Sequence, residues 1–448
     1  MATDSRLNGT SVVVAGAGLA GLAAAHDLAA LGATVTVVEA RDRVGGRVWT
    51  VRDGFAERQH AEAGGDMIDG EQTEILALAA ELGLKTTRIL RGGFGYVRLD
   101  AAGRPRIVTR VAGRGWQRMA DALESIARPY RLAEKRWDSP IASALARHSV
   151  AAWLDRVKAD AELRATAVGL RGFFLADPEE LSLIALVDQF SANDAPAFAQ
   201  QYRIEGGNDR LATTLAGRLG ERLHLHTDVV ALSQRGRSVR VTLKSGKTQS
   251  QLEVDYVILA VPATVMRRIP ITPSLPAQQH EAIARLKYGR ATRTLLQFSQ
   301  RFWRAPGRPR AFGSPLPFGA LWDGNEEQRG KPGILSLLAG GGASDQTQAI
   351  VAKEGPNGLV QALDWLGSGG ARLLASRQIV WEQDPHARGG YAYFDPGFDP
   401  DTRAWLARPA GRLFFAGEHT SITWQGYMNG AVESGRRAAA EVAAFHVL

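Results

Sequence analysis

Gly16-Ala17-Gly18-Leu19-Ala20-Gly21 is a GxGxxG run, and Glu39 lies 18 residues past its last glycine. Residues of these types at this spacing bind dinucleotides. Gly16 makes a tight turn, Gly18 lets backbone approach a pyrophosphate, and Gly21 lets a helix pack closely on a strand. The helix that opens around Ala20 offers unpaired N–H groups and the positive end of its dipole to the phosphates. Glu39 can accept from both ribose hydroxyls, and its charge disfavours a 2′-phosphate. Ala40 and Arg41 follow at once, and Arg41, Arg43 and Arg47 bracket Gly45 and Gly46. Guanidinium groups there can offset phosphate charge, and the two glycines keep a second stretch of backbone thin. Near the other end of the chain, "WQGYMNGAVESG" sets Tyr427 between a glycine and the start of a helical pattern. On those residues alone, Tyr427 is either a core aromatic or a wall of an active site.

Elements must position these groups. "SVVVA" at 11–15 is a β-branched run suited to a buried parallel strand, the stretch from Leu22 to Leu31 is an alanine-rich helix closed by Gly32, and "TVTVV" at 34–38 is a second strand ending on Glu39. The spacing predicts an amphipathic helix over "QTEILALAAELGL", ending at Gly83, and a mostly helical stretch from Trp116 to Phe198. Glu205-Gly206-Gly207 opens a further helix. "LHLHTDVVALSQ" and "SVRVTLKSG" read as strands of a hairpin, "VDYVILAVPATV" as a buried strand leaving at Pro262, and 291–303 as a strand. The Pro- and Gly-rich stretches 305–319 and 330–342 read as loops. His224 and His226 alternate on one strand face, which suggests either a metal pair or surface histidines; no third ligand lies nearby in the sequence.

At 448 residues, two or more domains are expected. Glycine is abundant, 49 residues, which favours tight turns and close backbone approaches. Cysteine is absent, so disulfides, thiolate metal sites, catalytic thiols and cofactor links through sulfur are excluded. The net charge of +8 comes from arginines spread along the chain. They form no basic-plus-aromatic module of the kind that binds nucleic acid. The apolar run Val12–Ala25 stops at His26, short of the roughly 20 residues a membrane span needs. The leader Met1–Gly9 carries one Arg and one Asp and is not a signal n-region. A soluble, cytoplasmic protein without nucleic-acid or membrane partners is expected.

The stretch "VVVAGAGLAGLAAAHDLAALGATVTVVEARDRVGGR" resembles the flavin-containing amine oxidases, a family of monoamine, polyamine and L-amino-acid oxidases. The resemblance implies FAD. It implies an α/β protein whose Rossmann-type FAD-binding domain is assembled from 1–75, 203–270 and 388–448. The expected substrate-binding domain has a mixed sheet and comprises 76–202 and 271–387, with a largely helical part at about 115–200. It recurs in segments. Gly64-Gly65-Asp66-Met67 resembles the stretch beside the flavin ring. Val229 matches a residue at the adenine end, or is an ordinary strand valine. Trp381 and Tyr391 belong to a block that packs beside the ring and faces substrate, although Tyr393 competes for the second role. Gly417-Glu418 matches a segment near the ribityl and pyrophosphate. Gly426, Tyr427, Met428 and Ala431 would begin a helix, over Gly426–Val442, whose positive end faces the flavin N1–C2=O edge.

One position departs from the family. Many members carry a lysine that holds a water against flavin N5, and Arg293 stands in its place. Arginine stays charged and is bulkier. Arg293 takes over that role, binds a substrate anion, or is an exposed strand residue. The implied catalytic set is Arg293, Tyr391 and Tyr427, and the implied reaction passes a hydride from an amine α-carbon to non-covalently bound FAD. The imine then hydrolyses and O2 becomes H2O2. An L-amino-acid oxidase, a flavin-dependent desaturase or isomerase of a hydrophobic substrate, and a non-enzymatic binding protein are the alternatives. The first of these would place an arginine where Ile68 stands. A homodimer is the family's habit.

Overall fold

The structure is a computed structural model that describes residues 6–108, 112–191, 200–367 and 370–447. Part of the expected helical stretch, 192–199, and the leader residues 1–5 lie outside the described residues.

The apolar runs at 11–15 and 34–38 form a five-stranded parallel sheet. Its order is Leu223–His224, Thr34–Val38, Ser11–Ala15, Tyr256–Leu259, Leu413–Phe415. The strands are short and apolar because both faces are covered. Val12, Val14, Val35, Val37 and Ile258 join one core cluster, and Val13, Val38, Val257, Leu259 and Phe415 join another. Helices Leu19–Ala30 and Met428–Val447 pack on each other over the first cluster. A Cβ at Gly435 would stand 2.2 Å from the Ala20 carbonyl oxygen, so only glycine allows this approach.

Strands Asp228–Arg235, Ser238–Ser245 and Thr248–Val254 make an antiparallel meander with turns at Gly236 and Gly246. A seven-stranded mixed sheet runs Leu373–Val380, Ala291–Phe298, Gly333–Gly340, Ala320–Asp323, Ala311–Gly313, Phe94–Leu99, Pro105–Val108. Helices from Ala112–Leu132 to Leu183–Ser191 occupy the chain between this sheet's last two strands in space and the strand Gln201–Ile204. Gln201–Ile204 pairs antiparallel with Ile68–Asp69 and Thr86–Ile89.

Several expectations need correction. The stretch 330–342 contains a fully buried strand, Gly333–Gly340, in the middle of the seven-stranded sheet. Its end glycines mark tight contacts, not turns: a Cβ at Gly340 would meet the Arg171 carbonyl oxygen at 2.3 Å. The stretch 305–319 likewise holds the strand Ala311–Gly313. The strand expected over 291–303 stops at Phe298. His226 leaves the strand face, with φ of 51°, so it does not alternate with His224. The helix after Gly207 begins at Arg210, and the last helix begins at Met428, two residues after Gly426.

Candidate active site

A cavity of about 850 Å³ opens at the carboxyl ends of the parallel strands, where open α/β sheets bind ligands. Gly16, Gly18, Ala20, Glu39, Ala40, Arg41, Gly46 and Arg47 line one part of it. Gly21 does not line it. A Cβ at Gly21 would lie 1.9 Å from the Gly16 carbonyl oxygen, so its role is packing. Gly18 is the opposite case, since a Cβ there would meet nothing within 4 Å. Gly18 also caps helix Leu19–Ala30 without any side-chain cap, which leaves the helix N–H groups to an anion. Gly46 comes within contact of Gly18, so two thin backbones flank the same space.

Glu39 is buried, accepting from the Ala17 N–H at 2.8 Å and the Arg41 N–H at 3.0 Å. A carboxylate has about four lone-pair sites, so acceptor capacity for hydroxyls remains. The arginines are less available than expected. Arg41 pairs with Asp384 at 2.5 Å, Arg43 donates to the Gly46 carbonyl at 2.9 Å, and Arg47 pairs with Glu418 at 2.9 Å. Burial lowers the Arg47 pKa, but Glu418 and Tyr288 outweigh it and the net shift is upward. The charges of Arg41 and Arg47 are therefore partly neutralised within the protein. Val229, Gly417, Glu418, Gly426, Met428 and Ala431 also line the cavity. Glu418 ties its edges together, accepting from the Gly426 N–H at 2.9 Å as well as from Arg47.

Farther along the same cavity stand Gly64, Gly65, Asp66, Met67, Arg293, Trp381, Tyr391 and Tyr427. Trp381 is fixed by a bond from Nε1 to the Ala63 carbonyl at 3.1 Å. Gly426 lies against Tyr391, whose ring is 3.4 Å from the position of a Cβ there. The Tyr391 hydroxyl donates to the Phe173 carbonyl, and the Tyr427 hydroxyl donates to Gln189 Oε1 at 3.1 Å. Burial pushes both phenol pKa values up, so both stay neutral. Tyr393 also lines the cavity, half-buried on the short strand Ala392–Tyr393.

Arg293 is not an exposed strand residue; it is 4% exposed. It donates to the Gly64 carbonyl at 3.0 Å and to Ser336 Oγ at 2.9 Å, and lies 4.4 Å over the Trp322 ring. Burial lowers its pKa and Asp66, 3.9 Å away, opposes that. Asp66 in turn accepts from Arg203 at 2.5 Å and from Trp322 Nε1 at 2.7 Å. The guanidinium is thus a fixed cation.

Residues with no signal in the sequence complete this end: Phe173, Phe174, Gln189 and Asp69 all line it. Ala260, Val261 and Pro262 line it too, and the rule that ligands gather at strand carboxyl ends would have found them. Among the described residues, no group of His, Asp and Glu side chains could hold a metal, and no helix is long and apolar enough to cross a membrane.

The model of the flavin containing amine oxidoreductase family matches residues 19–443. The chain belongs to the flavin-containing amine oxidoreductases. It is an oxidoreductase that uses a flavin. Among relatives of this amine oxidase, AofH of Mycobacterium tuberculosis, assigned to the flavin-containing monoamine oxidases, is 32% identical over 97% of this chain and 96% of its own. Amine oxidase [flavin-containing] A of Sus scrofa is 28% identical over 96% of this chain and 84% of its own. The solved cyclohexylamine oxidase of Brevibacterium oxydans superposes with a TM-score of 0.86 at 28% identity, covering 97% of this chain and 99% of its own. A putrescine oxidase bound to putrescine gives 0.85 at 26% identity, with the same coverage. The α/β amine-oxidase fold is therefore shared along the whole length.

Proposed function

We propose that this amine oxidase binds FAD non-covalently and oxidises a neutral amine held between Tyr391 and Tyr427. FAD held there would supply the hydride acceptor for the amine α-carbon and the route by which two electrons and two protons reach O2 as H2O2. The protein's own contribution is to bind, orient and desolvate. Gly18 and the start of helix Leu19–Ala30 would hold the pyrophosphate, Glu39 the ribose, and Met428–Ala431 the pyrimidine edge. The electron-rich faces of the two tyrosines guide the amine nitrogen. Neutral phenols in a low-dielectric cavity favour the neutral amine over its ammonium, and no side chain need act as a strong base. Arg293 is aligned by resemblance with the family's water-holding lysine, and its bonds to Gly64 and Ser336 support that reading. Asp66, 3.9 Å away, already opposes its charge, which disfavours a second carboxylate from a substrate. Ile68, wholly buried, offers no cation either.

The observation that carries the proposal is that both tyrosines share one cavity with the glycine fingerprint. Absence of cysteine leaves no thioether link to the flavin, so denaturation should release FAD unless a histidine holds it covalently. The test is to purify the protein, record its visible spectrum, and follow flavin bleaching and peroxide over a panel of amines and L-amino acids. A colourless protein that takes up no FAD would sink the proposal, and bleaching by amino acids alone would replace its substrate.

A further inference from the structure

Asp69 ends the strand Ile68–Asp69 and lines the large cavity. The antiparallel register sets it opposite Gln201. Gln201 Nε2 donates to Asp69 Oδ1, and Gln72 Nε2 donates to Asp69 Oδ2 at 2.9 Å. A carboxylate only accepts, so both amides must turn N–H groups toward it. They hold it in position and bring no positive charge. Among the described residues no basic side chain forms an ion pair with Asp69, and the neighbouring charge of Glu71 is of the same sign.

The location is informative. Gly70 and Glu71, the next two residues, are exposed and line the same cavity, so Asp69 lies at its mouth. Its charge acts on Tyr427. Tyr391 is influenced instead by Tyr427, Arg293 and Glu418. Asp69 thus shares the cavity of both rings and lies toward its open edge. An uncompensated carboxylate facing a ligand cavity takes its counter-charge from the ligand.

We propose that Asp69 receives a second cation of the substrate, so that the preferred substrates are diamines whose far ammonium sits at Asp69 while the reacting amine lies between Tyr391 and Tyr427. The assignment rests on the amine-oxidase reading of the site. Burial raises the Asp69 pKa, and the amides of Gln201 and Gln72 pull it back. A bound ammonium would stabilise the charged form further.

The test compares the flavin-loaded wild type with Asp69→Asn and Asp69→Ser, using 1,4-diaminobutane and 1,6-diaminohexane beside butylamine and hexylamine. Flavin content per chain reports that each variant folds. The wild type should favour each diamine over its matched monoamine. Both substitutions should lower kcat/KM for the diamines at least about tenfold more than for the monoamines, mainly through KM. Oxidation of monoamines without a diamine preference, or an equal loss for both classes, overturns this proposal alone. Oxidation of no amine at all overturns it together with the amine-oxidase reading.

Discussion

The Tyr427 hydroxyl donates to Gln189 Oε1 at 3.1 Å, tying a ring beside the last helix to the helix Leu183–Ser191, more than two hundred residues earlier in the chain. Gln189→Leu removes the acceptor, and Tyr427→Phe removes the donor. Each should retain flavin and lower kcat/KM about three- to tenfold, the range of one hydrogen bond of about 0.5–1.5 kcal/mol. The double variant should lose little more than either single one. Steady-state kinetics on all four proteins checks this, and additive losses would refute the coupling. Tyr427→Ala removes the wall itself and should keep flavin while losing most of kcat/KM.

Gly18 and Gly21 sit three residues apart and should fail differently. Gly21→Ala drives a methyl onto the Gly16 carbonyl oxygen, so the chain should express poorly or unfold well below the wild-type Tm. Gly18→Ala adds a methyl to open space at an extended backbone, φ −72°. It should fold with near-normal Tm as the apoprotein and hold flavin at least about tenfold more weakly. Flavin titration of the two apoproteins separates them.

Glu62 is buried, accepting from Thr50 Oγ1 at 2.9 Å and the Asn208 N–H at 2.9 Å. Burial and then Asp66 push its pKa from the ordinary 4.5 to about 8. Between those values the folded chain keeps a proton that the unfolded chain gives up. Its contribution to stability therefore falls as pH rises through that window, by about 1.4 kcal/mol per pH unit. Glu62→Gln, which resembles the protonated acid, should flatten this part of the Tm profile from pH 5 to 9. A Gln variant with the wild-type slope would contradict the assignment.

Arg203 is 2% exposed and bonds Asp66 at 2.5 Å and Glu327 at 2.9 Å. Arg203→Met takes from two carboxylates the guanidinium they share, leaving Asp66 only Trp322 and the more distant Arg293, and should cost about 3–5 kcal/mol in denaturant unfolding. Arg203→Lys should recover only part, because a point charge cannot reproduce the fork that serves both partners. A Met variant as stable as wild type would remove the network from any account of how Arg293 is held.

What could be read in advance follows from range. The strands Ser11–Ala15 and Thr34–Val38 and the glycines between them are local signals: short apolar runs beside residues whose small size has one purpose. Gly333–Gly340 was opaque because glycines at strand ends look like turn residues until their neighbours are known. Gln189, Phe173 and Asp69 gain meaning only from contacts hundreds of residues or a whole sheet away. Arg293 could be located by resemblance, but its anchoring depends on Gly64, Ser336, Asp66 and Trp322, which no spacing reveals.

The parallel sheet at the cofactor end also dictates an order of events during synthesis. Its strands come from residues 11–15, 34–38, 223–224, 256–259 and 413–415, and helix Met428–Val447 seals its face. A nascent chain cannot close that layer until its final strand has left the ribosome. Until then the glycine fingerprint has a helix but no roof, and the apolar strand Tyr256–Leu259 lacks its outer partner. Long-range pairing of this kind is slow and exposes sticky edges. A closed flavin site therefore waits on the strand Leu413–Phe415, and supplying flavin during heterologous expression should raise soluble yield by trapping the closed layer as it forms.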